Sequence, residues 1–165
     1  MTIATSKQDI PGLVHEAIAR HGRHRDALIP ILTEINHALG YIPAEAIAEV
    51  RRQVHVPGEN LFVSESQLYA LASFYHMLST KPRGRHVVKF CENAPCHVVG
   101  GRDVWNRLQE TLRLKAGETS PDGKWSLVTT SCLGICSVGP VFLVDDDVYG
   151  NVTPGQVADI LSRYE

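Results

Sequence analysis

At 165 residues with 44% apolar side chains, the chain is long enough for one ordinary domain or two small ones around a real core, which excludes a disordered polymer. Sixteen basic residues against eighteen acidic ones give no global field toward nucleic acid or anionic lipid, so partners must be recognised by local features. No stretch approaches the roughly 18 apolar residues a membrane span needs, and MTIATSKQDIPG lacks the pattern of a secretory leader, so a cytoplasmic protein without direct membrane insertion is expected.

Residues 1–80 read as helix. Ile10, Leu13, Val14, Ala17 and Ile18 follow helical spacing up to Gly22, a residue suited to a left-handed cap. A second helix carries Ile31, Leu32, Ile35, Ala38 and Leu39 to Gly40. Pro30 places its start within about one turn, because a proline deeper in a helix clashes with the carbonyl four residues back. Pro43 suits a helix first turn, and Ala44 to Val54 continue in helix formers until Pro57 breaks the run. Ser64 with Gln67 forms a capping box ahead of Leu68, Leu71 and Ala72. Four helices with short connections make a small bundle. Phe74 and Tyr75, near the end of the fourth, are expected to seal it against the second domain.

STKPRGR, 79–85, is polar and broken by proline and glycine, and marks the expected boundary between a bundle over 1–80 and a second domain over 81–165. There the pattern changes. His86 to Phe90 reads as a strand, Val99 to Leu114 as a helix with Val104, Trp105, Leu108 and Leu112 on one face, and Trp125 to Ser131 as a second strand. Val141 to Val144 and Val148 to Tyr149 flank Asp145-Asp146-Asp147 as a hairpin. A turn explains the three acids better than a calcium loop, whose further oxygen ligands do not recur. Thr153-Pro154-Gly155-Gln156 gives N-cap, N1 proline and N3 glutamine for a last helix with Val157, Ile160 and Leu161. Strand, helix, strand, hairpin, helix is the order of a thioredoxin-like half-domain, so the whole protein is expected to be α/β.

There are four cysteines, in CENAPC (91–96) and CLGIC (132–136), 35 residues apart. In a reducing compartment they read as ligands or redox groups rather than structural disulfides. Cys91 closes the first strand and Cys132 follows the second. If those strands run parallel, both loops emerge at one end of the sheet, where α/β folds place their ligands. A structural zinc would accept four sulfurs, but such sites usually use a two-residue gap in at least one pair, and here the gaps are four and three. A [2Fe-2S] cluster needs two thiolates on each of two irons and accommodates wider loops. Being anionic, it also needs backbone N–H donors and close main-chain approach, which Gly134, Gly139 and Gly100-Gly101 supply. The spacing favours iron–sulfur over zinc. A dithiol oxidoreductase ranks third, since neither pair has the two-residue gap of that chemistry.

The pattern Cys91-x4-Cys96, then Cys132-Leu-Gly-Ile-Cys136 and Gly139-Pro140, resembles the small [2Fe-2S] subunit of respiratory complex I, the NADH:quinone oxidoreductase, whose relatives serve NAD-reducing hydrogenases and NAD-dependent formate dehydrogenases. LIPILTEINHALGYIP (28–43), SFYHML (73–78) and VYGNVTPGQVADIL (148–161) resemble further segments of that family, so the likeness runs from about residue 24 onward. Ser73 stands where the family commonly has threonine and keeps the hydroxyl. The resemblance implies a helical bundle followed by a thioredoxin-like [2Fe-2S] domain, with Cys91 and Cys96 on one iron and Cys132 and Cys136 on the other. It further implies a hetero-oligomer in which a flavoprotein subunit binds NADH and FMN and passes electrons to this one. Any attachment to the inner face of the membrane would run through partner subunits. The alternative within the family is the diaphorase subunit of a hydrogenase or formate dehydrogenase; the alternative of another class is a zinc-stabilised interaction module.

Other candidates have plainer readings. Four cysteines complete the ligand count, so His97 is a neighbour that tunes local charge or a surface residue. The basic run Arg20–Arg25 fits cations at a helix end, and Trp105 and Trp125 fit core packing rather than electron relay. No G-x-G-x-x-G or G-x-x-x-x-G-K-[ST] marks a nucleotide site in this sequence. The isomer of the Gly139-Pro140 bond is not fixed by the sequence.

Overall fold

The computed structural model describes residues 9–55 and 62–164. The chain divides into two compact units, Met1–Pro82 and Arg83–Glu165.

The first unit is helical: α1 (Ile10–His21), α2 (Leu28–Leu39), α3 (Ala44–Val54) and α4 (Glu65–Phe74). Asp9 caps α1 by accepting the Gly12 N–H at 3.2 Å. Gly22 ends that helix at φ 88°, ψ −179°, a glycine conformation other than the expected left-handed cap; Gly40, at φ 77°, ψ −14°, does provide such a cap for α2. Pro30 falls in the first turn of α2, where its missing N–H removes no helical bond. Pro43 is the N-cap of α3 rather than a first-turn residue, and the break expected at Pro57 lies outside the described residues. The capping box of α4 is present, with Gln67 N–H on Ser64 Oγ at 3.2 Å and Ser64 N–H on Gln67 Oε1 at 3.0 Å. Val14, Ile31, Leu32, Ile35, Val50 and Leu68 form the buried core. Tyr75 packs against it. Phe74 is 76% exposed and is not among the residues packed on that core.

The second unit is a five-stranded mixed sheet in the order β2-β3-β1-β4-β5: β1 (His86–Cys91), β2 (Glu118–Thr119), β3 (Trp125–Thr130), β4 (Phe142–Val144) and β5 (Asp147–Tyr149). β1 and β3 are parallel, and the other neighbours are antiparallel. One turn, α5 (Ala94–Cys96), and a kinked segment, His97–Gly101, precede α6 (Arg102–Leu112). The helix expected from Val99 therefore starts at Arg102, and it stops at Leu112 because Arg113 turns left-handed at φ 56°. Val104 and Leu108 of α6 and Val157 of α7 (Val157–Leu161) bury against Val88, Phe90, Leu127 and Phe142.

The β4–β5 hairpin turns at Asp145 and Asp146, with Asp145 at φ 56°, while Asp147 joins the strand opposite Val144. Asp145 and Asp147 have structural roles. Asp145 accepts the Val87 N–H at 2.8 Å and lies 2.8 Å from His86 Nδ1, and Asp147 accepts the Tyr164 hydroxyl at 2.7 Å. The short strand β2 has no counterpart among the elements expected from the pattern. The Gly139-Pro140 bond is cis. Among the described residues no helix is long and apolar enough to cross a membrane.

Candidate metal centre

The parallel pairing of β1 and β3 builds the site. Cys91, the last residue of β1, lies opposite Thr130, the last of β3, so the CENAPC and CLGIC loops leave the same edge of the sheet. Glu92 N–H reaches Thr130 O at 3.2 Å and Cys91 N–H reaches Val141 O at 3.2 Å, tying the first loop to both neighbouring strand ends.

Asn93 shapes that loop. Its carbonyl accepts the N–H groups of Cys96 (3.0 Å) and His97 (3.2 Å), closing the turn through Pro95. Cys91 and Cys96 are each 2% exposed and pack with Val141 against Leu133 and Val138. Two glycines permit this fit. A Cβ on Gly101 would stand 2.5 Å from the Cys96 carbonyl oxygen, and one on Gly139 would stand 3.4 Å from the Cys96 sulfur.

The second loop is exposed. Cys132 and Cys136 place their sulfurs 3.5 Å apart, and Gly134, at φ 80°, turns its N–H onto the Cys132 sulfur at 3.4 Å. Cys136 opens a 3₁₀ turn, Cys136–Val138, that leads to Gly139.

Electrostatics link the two loops. The Gly134 N–H, helped by contacts with Cys136 and Cys91, holds the Cys132 thiol below the ordinary thiol range. Burial first, and the Cys91 thiol second, push Cys96 up against an opposing N–H bond from Val141. The hydrogen bond with Cys132 raises Cys136. All four sulfurs thus interact at one edge. Among the described residues, no group of three or more His, Cys, Asp or Glu side chains is arranged to hold one metal ion. Two cysteine pairs at one sheet edge, with the N–H groups of Gly134 and Val141 on Cys132 and Cys96, suit the sulfur-ligand and N–H donor needs of a binuclear anionic core.

His97 is exposed, and its ring stacks edge-on to Phe90 at 6.3 Å. Trp105 packs on Phe90 at 5.2 Å. Trp125 sits with His86 and Tyr164 at the strand ends far from the cysteines, so it is a packing residue. Arg20 and His21 pair with Glu34 at 2.7 and 3.0 Å, which accounts for those two members of the basic run. Two contributors escaped the sequence pattern: the Val141 N–H and the Val99 side chain beside Gly139. Glycine before proline next to the second pair is the signal that marks this close approach.

The chain is 30% identical to the E-type subunit of NADH-quinone oxidoreductase from Salmonella typhimurium over 98% of its own length and 95% of that relative. It is 34% identical to the HndA subunit of the NADP-reducing hydrogenase from Solidesulfovibrio fructosivorans over 83% of its length and 76% of that relative. In fold, 80% of it superposes on a crystal structure of an NAD+-reducing [NiFe]-hydrogenase with TM-score 0.64 at 20% identity, spanning only 21% of that protein. With residues 14–165 matching its description, the chain belongs to the thioredoxin-like [2Fe-2S] ferredoxin family.

Proposed function

We propose that this protein is the [2Fe-2S] electron-transfer subunit of a flavin-dependent NADH oxidoreductase, with Cys91 and Cys96 ligating one iron and Cys132 and Cys136 the other. The observation that carries the reading is the meeting of two thiol pairs at one sheet edge, in a sequence whose family match spans residues 14–165. When bound, the cluster supplies a one-electron couple. The protein's own residues do the rest. Burial of Cys91 and Cys96 fixes one side of the centre, and the N–H groups of Gly134 and Val141 stabilise negative charge on sulfur.

NADH and FMN belong to a flavoprotein partner in this reading, because the sequence carries no dinucleotide or phosphate-loop motif. The protein works in a cytoplasmic hetero-oligomer and reaches the inner face of the membrane only through partner subunits. Relatives named for a quinone reductase and for a hydrogenase match at 30% and 34%, so the function is assigned at the level of the electron-transfer subunit rather than of one parent complex.

Anaerobic purification tests this. Iron and acid-labile sulfide in equal amounts, with visible absorption bleached by a reductant, are expected, and a flavoprotein should co-purify from the native cell. A colourless protein with stoichiometric zinc and no sulfide would reject the reading in favour of an interaction module.

A further inference from the structure

The first thiol loop does not run straight into α6. Over His97–Gly101 the backbone leaves helical geometry at Val99 (φ −90°, ψ 19°) and at Gly100 (φ 101°, ψ 10°), the latter a conformation costly for any side chain. This turn sets Val99 beside the Gly139 backbone. Val99 Cγ2, the Cys96 sulfur and the Cys136 carbonyl oxygen lie 3.1, 3.4 and 3.4 Å from the one spot a Gly139 Cβ would fill. Val99 thus packs where the two thiol loops meet, yet it keeps 54% of its surface exposed. Val98, one residue earlier, is 85% exposed and is not among the atoms nearest that spot.

A branched aliphatic side chain held half in water contributes little to a core, and here it stands beside the spot that the Cys96 sulfur also borders. We infer that Val99 is the shielding residue of the metal centre, excluding solvent where the Cys96 sulfur and the Cys136 backbone border Gly139, and so lowering the reduction potential and slowing cluster loss. The inference rests on the [2Fe-2S] reading. Its sign follows from charge: reduction adds a negative charge, water stabilises the more charged state, and an apolar shield withholds that stabilisation.

The test uses the reconstituted holoprotein and three variants, Val99→Ala, Val99→Thr and Val98→Ala. Iron, sulfide and visible spectrum are measured first, so that a wild-type protein without cluster counts against the [2Fe-2S] reading and takes the shield with it. With the cluster present, redox titration should move Val99→Ala and Val99→Thr to more positive potential. An iron chelator should empty Val99→Ala about tenfold faster, the lower end of what residues around metal ligands contribute. Threonine keeps the shape of valine and adds a hydroxyl, so it reports polarity even where alanine disturbs assembly. Val98→Ala, which also trims exposed apolar surface, should match wild type in both measurements. Unchanged potential and chelation in the Val99 variants, or equal shifts in Val98→Ala, would overturn the proposal.

Discussion

The two thiol loops carry the same number of sulfurs and are built in opposite ways. Cys91 ends a regular strand and Cys96 ends a tight turn, both are buried, and the Gly101 backbone presses on the turn. Cys132 and Cys136 are exposed on a loop whose shape comes from Gly134 and a short 3₁₀ turn. Both loops are held by backbone hydrogen bonds, but only the first adds desolvated packing around its sulfurs. Their chemistry differs accordingly: burial makes a thiolate at Cys96 harder to form, and the Gly134 N–H makes one at Cys132 easier. Cys96 therefore depends more than Cys132 on the positive charge of a metal to be deprotonated.

The widest contrast should come from ligand replacement. Cys96→Ser is expected to leave the protein without an intact cluster, because a buried hydroxyl can neither shed its proton easily nor fill the space of sulfur. Cys132→Ser, where water still solvates the oxygen, should retain iron and sulfide with an altered spectrum; equal losses in the two variants would erase the distinction between the loops. Next in size is Phe90→Ala. This ring is 1% exposed, adjoins Cys91 and packs on Trp105, so its loss should destabilise the second unit by about 3–5 kcal/mol in urea denaturation. A much smaller effect would mean that the first loop does not depend on packing.

Reactivity sharpens the comparison without mutation. In the reduced, cluster-free protein, limiting iodoacetamide followed by peptide mass mapping should find Cys132 modified first and Cys96 last. The thiolate is the reactive form, so as pH falls from about 9 to 7 every rate drops, and Cys132, whose thiol sits below the ordinary range, should keep reacting longest. Preferential labelling of Cys96 would contradict the assigned environments. The smallest change is expected from His97→Ala. Its exposed ring touches Phe90 edge-on, so the cluster should assemble, with at most a small shift in potential. An empty site in this variant would make His97 a ligand and the four-cysteine set wrong.

What the sequence makes legible is local. The Ser64–Gln67 and Thr153–Gln156 capping boxes need only residues three apart, and both form as read. The cysteine spacing marks two loops, and their meeting follows once β1 and β3 pair in parallel. Non-local features stay hidden. β2 is two exposed residues defined by pairing with β3 and by the 2.6 Å contact of Thr119 with Ser126, and neither leaves a periodic trace in Glu118-Thr119. Val99 stands just ahead of the apolar face of Val104, Leu108 and Leu112, with no proline between to halt a helix, so the sequence begins the helix there; the backbone instead kinks at Gly100 and leaves Val99 beside Gly139. Phe74 shows the same limit on the helical side: an aromatic at a helix end is apolar, and only the tertiary arrangement decides that Tyr75 enters the core and Phe74 does not.

That kink carries one more consequence. Because Val99 and Gly100 break the screw axis, the turn bearing Cys96 and the long helix behind it are independent parts. Val104 and Leu108 can commit α6 to the sheet without dictating where the sulfur points. Alanine in place of Gly100 would favour one continuous rod, forcing either the helix to leave its seat or the thiol to turn away.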